Sequence, residues 1–143
     1  MSEANKVVAR KIVEEVFNQG KQEMIDQYFA PEYVEHDELP GVPPTREGIK
    51  MLAGAFRTAF PDLHYHIDAE IAEGDKVVQY MTAHATMKGE FQGMPATGKH
   101  GSWKEVHIGR IQGGKLIEHW SVVDQLGMLV SLGVMPPPVG GGA

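Results

Sequence analysis

The chain has no cysteine among its 143 residues, which excludes disulfides, thiolate zinc sites and cysteine nucleophiles. It has no excess of positive charge either. Thirteen Lys and Arg stand against nineteen Asp and Glu, a net charge of -6 with a pI near 5.6, so a sequence-independent grip on a nucleic-acid backbone is not expected. No run approaches the roughly 20 apolar residues of a membrane span, and Met1–Asn5 lacks a basic stretch leading into an apolar one. The expectation is a cytoplasmic protein without nucleic-acid or membrane partners. No zinc-ligand spacing, phosphate-binding glycine loop or nucleophile elbow is present, so neither a metal nor a cofactor is expected.

What is there is ordinary globular composition, 42% apolar and 22% charged, enough for one core in one domain. Residues 1–134 form that domain, and the Pro- and Gly-rich segment 135–143 reads as a disordered tail. Val8, Ile12, Val13, Val16 and Phe17 recur at helical steps, and Gly20 stops them. A second short helix is expected over Gln22–Phe29 and a short strand over Tyr33–Asp37. After Pro40–Pro44, Thr45 caps a third helix with Ile49, Leu52, Ala53, Phe56 and Phe60 on one face.

The period then changes to two. Leu63 to Ala72 alternates apolar and polar, and Gly74-Asp75 turns into a return strand over Lys76–Met87. That pairing sets Ala69 opposite Tyr80 and Tyr65 opposite His84, bringing Tyr80 and His84 to the inner face. Lys88–His100 reads as a loop or lip. Two more strands, Gly101–Gln112 and Lys115–Asp124, flank Gly113-Gly114. A two-residue turn there aligns Ile111 with Leu116, His107 with Trp120, Glu105 with Val122 and Trp103 with Asp124. A last helix follows over Gln125–Leu132. Helices first and an antiparallel meander afterwards indicate an α+β fold, the helices covering one side of a curved sheet.

Trp103, Glu105, His107, Trp120 and Asp124 then share one face, and an acid, an imidazole and two indoles in an apolar setting suit a pocket better than a sealed core. A carboxylate desolvated there can abstract a proton beside a carbonyl, while a His or Trp N–H holds the enolate oxygen. Asp124 is the base candidate; equally it can cap the last helix. Glu105 and His107 can serve the pocket or only satisfy each other. His36 can reach the pocket mouth from its strand end. In this register Glu118 faces inward and His119 outward, and a β-bulge would exchange them. His64 and His66 fall on a polar, solvated face.

The chain resembles the SnoaL-like polyketide cyclases of the nuclear-transport-factor-two-like superfamily. The likeness rests on Tyr33-Val34-Glu35-His36, Ala59-Phe60-Pro61-Asp62-Leu63, Glu73-Gly74-Asp75-Lys76-Val77, Gly93-Met94-Pro95-Ala96-Thr97-Gly98 and Gly114-Lys115-Leu116-Ile117-Glu118-His119-Trp120 with Asp124. It implies a cystatin-like α+β cone around one pocket, usually in a homodimer, and cofactor-free intramolecular aldol condensation of a polyketide ester. Carried onto this chain, it makes Asp124 the acid/base, His107 and His36 polar partners and Trp120 a pocket wall. Trp103, Glu105, His119, His84 and Tyr80 are the further candidates for contact with a small apolar, carbonyl-bearing ligand. One departure stands out: relatives often carry an acidic residue where this chain has Ser121. A binding protein without turnover is the alternative, favoured by Ser121. Epoxide hydrolysis, a third possibility, needs an acidic pair polarised by an arginine, and Arg110 falls on the opposite face.

Overall fold

A computed structural model describes residues 2–37 and 39–138. Helix α1 (Ser2–Lys11) continues into wider π turns over Ile12–Asn18, burying Ala9, Ile12, Val13 and Val16 as the apolar stripe requires. Gly20 takes a φ of 73°, and an added Cβ would meet the Arg57 guanidinium at 2.8 Å. That close approach lets Arg57 donate to the carbonyls of Phe17, Asn18 and Pro61, tying α1's end to the third helix.

The expected second helix is cut short. A 3-10 turn (Gln22–Met24) and one turn of α2 (Ile25–Tyr28) give way to strand β1 at Phe29, and β1 runs to Glu35. Tertiary pairing decides this, because β1 lies parallel to the last strand with Phe29 opposite Leu116 and Glu35 opposite His119. Pro31 is tolerated because β1 is an edge strand. Helix α3 (Arg46–Ala59) is capped by Thr45, whose side chain accepts from the Gly48 N–H. Strands β2 (His64–Glu73), β3 (Lys76–Thr86), β4 (His100–Gln112) and β5 (Lys115–Val123) follow, then α4 (Gln125–Ser131).

The sheet order is β1-β5-β4-β3-β2. It is mixed, since β1 is parallel to β5 and the other pairs are antiparallel, and it is open, with β1 and β2 as its edges. The α+β architecture is the one expected. Two apolar clusters join helices to sheet, one around Phe60, Met87, Trp103 and Leu132, the other around Val16, Ile25, Phe29, Tyr33 and Ile111. No helix among the described residues is long and apolar enough to cross a membrane. Of the expected tail, 139–143 lie outside the described residues, and 135–138 form neither helix nor strand.

Besides the irregularity between Phe29 and Val34 in β1, two register shifts separate the hairpins from uninterrupted alternation. Between β2 and β3, Ala69 faces Tyr80 as expected, but a shift between Ile67 and Ala69 then puts Tyr65 opposite Ala83 and His64 opposite His84. Between β4 and β5, Ile111 faces Leu116 as expected, but the next pair is Arg110 with Glu118. Ile117 is the extra residue, and from there His107 meets Ser121 and Glu105 meets Val123. Because side chains alternate at every residue, one extra residue exchanges the faces of everything beyond it.

Candidate active site

On the inner face of β4, odd-numbered positions point towards the helices, so Trp103, Glu105 and His107 stand in a row. The bulge at Ile117 brings His119 and Ser121 of β5 inward beside them. From the neighbouring edge, β1 adds Tyr33 and Glu35 on the same period of two, while Val34 between them is exposed.

These side chains form one hydrogen-bonded chain. Glu105 Oε1 lies 2.7 Å from His107 Nε2, His107 Nδ1 lies 2.8 Å from His119 Nε2, and His119 Nδ1 lies 2.9 Å from both oxygens of Glu35. At one end Trp103 Nε1–H donates to Glu105 Oε2 at 2.7 Å, with the Tyr65 hydroxyl at 3.5 Å. At the other, the Tyr33 hydroxyl and the Asp37 N–H donate to Glu35 at 2.7 and 3.1 Å.

A proton inventory follows from the partners. An ionised carboxylate only accepts, so His107 Nε2 and His119 Nδ1 must each carry hydrogen. The contact between the two rings needs a third. Two neutral imidazoles hold two such hydrogens between them, so with both carboxylates ionised the geometry accommodates one further proton, shared by the pair and set between the two carboxylates. Burial pushes the Glu35 carboxyl upward, but the bond and charge of His119, the Tyr33 hydroxyl and the Asp37 N–H outweigh it and hold it below its ordinary value. Burial first, and then the Glu35 charge and bond, push the Tyr33 phenol far up; burial and Glu105 do the same to Tyr65. Both tyrosines therefore stay neutral donors.

The chain forms the polar wall of a cavity of about 670 Å³ between the helices and the sheet. The rest of its lining is mostly apolar, including Ile12, Phe17, Phe56, Phe60, Met81 and Leu129, with Gln79, Gln92 and Gln125 as polar exceptions. Such a site can hold a mostly apolar small molecule against a group able to accept, hold and return one proton. Among the described residues, no group of three His, Asp or Glu side chains is placed to hold a metal ion.

The structure brings together Trp103, Glu105, His107 and His119 of the candidates, with His36 at the rim. His36 bonds Glu118 at 2.8 Å and stacks on Trp120, ring centroids 4.7 Å apart. The others lie elsewhere. Trp120 is turned to the outer face by the bulge, with Lys76 Nζ 5.6 Å from its ring centroid. Tyr80 and His84 are exposed on the outer face of β3, where inward-facing Gln79, Met81 and Ala83 take their expected place. Asp124 is exposed and outside the cavity lining; its side chain accepts from the Gly127 N–H at 2.9 Å, as the cap of α4. Glu118 also faces outward, bonded to Arg110 at 2.8 Å.

Glu35, Tyr33, Tyr65 and Asp37 were not singled out from the sequence as site residues. Tyr33 and Glu35 carried a signal, a polar group and a ring alternating with the exposed Val34, but only pairing with β5 tells which way that alternation points. Asp37 accepts a hydrogen bond from the Ser121 hydroxyl at the cavity rim.

Comparison with known proteins agrees with this architecture. The profile described as SnoaL-like polyketide cyclase matches residues 7–132. Nogalonic acid methyl ester cyclase of Streptomyces nogalater is 30% identical over 119 residues, 82% of this chain and 89% of that protein. Aklanonic acid methyl ester cyclase of Streptomyces peucetius is 30% identical over 138 residues, covering 93% and 94%. Among solved structures, TsrD from Streptomyces laurentii superposes with a TM-score of 0.84 at 27% identity, over 93% of this chain and 97% of its own. With the profile spanning nearly the whole domain and the sheet, helices and cavity all in place, the chain belongs to the SnoaL-like polyketide cyclase family.

Proposed function

We propose that this protein is an ester cyclase that closes a ring in a polyketide-type substrate by cofactor-free intramolecular aldol chemistry. The observation carrying this reading is the Glu35–His119–His107–Glu105 chain, with room for one shared proton, in the wall of an otherwise mostly apolar cavity. The substrate's α C–H loses its proton to the Glu105 carboxylate, which leaves the positive charge of the imidazole pair without its Glu105 counter-ion and free to face the enolate. The positive charge shared by His107 and His119 stabilises the enolate oxygen. The enolate carbon then forms its bond to the ketone carbon, and the resulting alkoxide takes the proton back, so the site ends as it began. Ile12, Phe56 and Phe60 exclude water from the enolate. Asp124, capping α4 away from the cavity, has no part in these steps.

The test is exchange of the α hydrogen of a polyketide β-keto methyl ester in deuterium oxide, followed together with ring closure. Glu105→Gln and His107→Gln should each slow both by about 10²-fold or more, the usual worth of a positioned acid/base group. Wild-type rates in these variants, or a comparable loss in Asp124→Asn, would refute it.

A second reading has its own support. Among the described residues every buried side-chain polar atom already has a partner, as befits a binding protein that performs no turnover. Ligand binding without α exchange in the wild type would decide for it. In either reading a second copy of the chain covers the outer sheet face, where Ile71, Tyr80 and Val122 are exposed. Sedimentation equilibrium giving only the 15.7 kDa monomer at micromolar concentration would rule that out.

A further inference from the structure

Three carboxylates line the cavity, Glu35, Asp37 and Glu105, and no lysine or arginine is among the described residues that do so. A proton shared by His107 and His119 would offset only one of those charges, and it would be held between Glu35 and Glu105. Two negative charges remain in excess, on a chain whose net charge is itself -6. They differ in setting. Glu35 and Glu105 are tied to imidazoles, while Asp37 is exposed at the rim, where its carboxylate accepts from the Ser121 hydroxyl and makes no salt bridge among the described residues. Its position is fixed by the backbone around it: the Glu35 N–H donates to Pro44, the His36 N–H to His119 and the Asp37 N–H to the Glu35 side chain.

We propose that Asp37 is a charge filter at the cavity mouth, a specificity-determining residue that admits a ligand with its carboxyl group esterified and rejects the same ligand as a free carboxylate. This rests on the cavity being the ligand site, as the proposed function has it, but on no step of the reaction. The physical reason is like-charge repulsion where water is partly excluded: an anion entering past Asp37 towards Glu35 or Glu105 meets charge of its own sign and no cation free to pair with it. An ester of the same shape loses only its water and gains the apolar walls.

The experiment measures binding alone, so it stands apart from any failure of turnover. The full chain is titrated with anthraquinone-2-carboxylate and with its methyl ester, at pH 7.5 and low salt. Quenching of Trp103, which lines the cavity, reads occupancy. The ester should bind at least tenfold more tightly than the acid. Asp37→Asn keeps an oxygen for the Ser121 hydroxyl and should narrow that ratio about threefold or more by improving the acid alone, leaving the ester's Kd within twofold. Asp37→Lys should narrow it further. Equal wild-type affinities would overturn the filter, as would a ratio unchanged in Asp37→Asn, or equal losses for both ligands, which mark a purely structural role. Binding of neither probe would remove the ligand site and the filter with it.

Discussion

Glu105→Gln tests the register of the β4–β5 hairpin and the proton inventory together. The side chain is about 5% exposed, and its two oxygens accept from His107 Nε2–H and Trp103 Nε1–H, each at 2.7 Å. Glutamine has the same shape but turns one oxygen into an NH2 group: with its oxygen kept for Trp103 Nε1–H, the NH2 meets His107 Nε2, which must give up its hydrogen and become the acceptor. Both bonds to the side chain then fall from charge-assisted to neutral, costing about 1 kcal/mol each. The sum is about 2 kcal/mol, or a fall in Tm of roughly 4–8 °C for a domain of this size. The assay is thermal unfolding by circular dichroism at pH 7, with Glu118→Gln as reference. Glu118 faces outward, is partly solvated, and bonds His36 and Arg110, so its loss should cost at most about 1 kcal/mol. A Glu105→Gln Tm within 2 °C of wild type, or a Glu118→Gln loss as large as that of Glu105→Gln, would refute the arrangement.

The other predictions concern the cap and the acid limb. Asp124→Asn should leave stability nearly unchanged, since asparagine caps as well as aspartate, whereas Asp124→Ala should cost about 1 kcal/mol by the loss of the bond from Gly127; equal urea midpoints for Ala and wild type would remove the capping role. Glu35 has its folded-state carboxyl held below the ordinary 4.5. The stability it contributes is therefore complete above about pH 4.5 and is lost as the pH falls through the depressed folded value. Urea midpoints measured from pH 7 to pH 3 should fall more steeply below pH 4.5 for wild type than for Glu35→Gln, and parallel curves would contradict the assignment.

Much of this was legible without coordinates. The α3 stripe and its Thr45 cap, the change of period at Leu63 and the glycine turn at Gly113-Gly114 are local signals, set by side-chain spacing and backbone freedom within a few residues. They identify an α+β fold, and they place Trp103, Glu105 and His107 on one face of one strand, because that requires only the alternation of β4 itself. Which residues join them was decided by tertiary structure. Ile117 and Asp68, the residue passed over between Ile67 and Ala69, look like any other strand residues, yet each is left unpaired and exchanges the faces beyond it. The first exchange turns His119 and Ser121 inward and Trp120 outward, and the second leaves Tyr80 and His84 in water. Likewise nothing local in Phe29–Glu35 tells that it will lie parallel to β5, and without that pairing Glu35 has no His119 to meet. Alternation is a property of one strand, but register is a property of two, and the chain of carboxylates and imidazoles exists only where three strands agree.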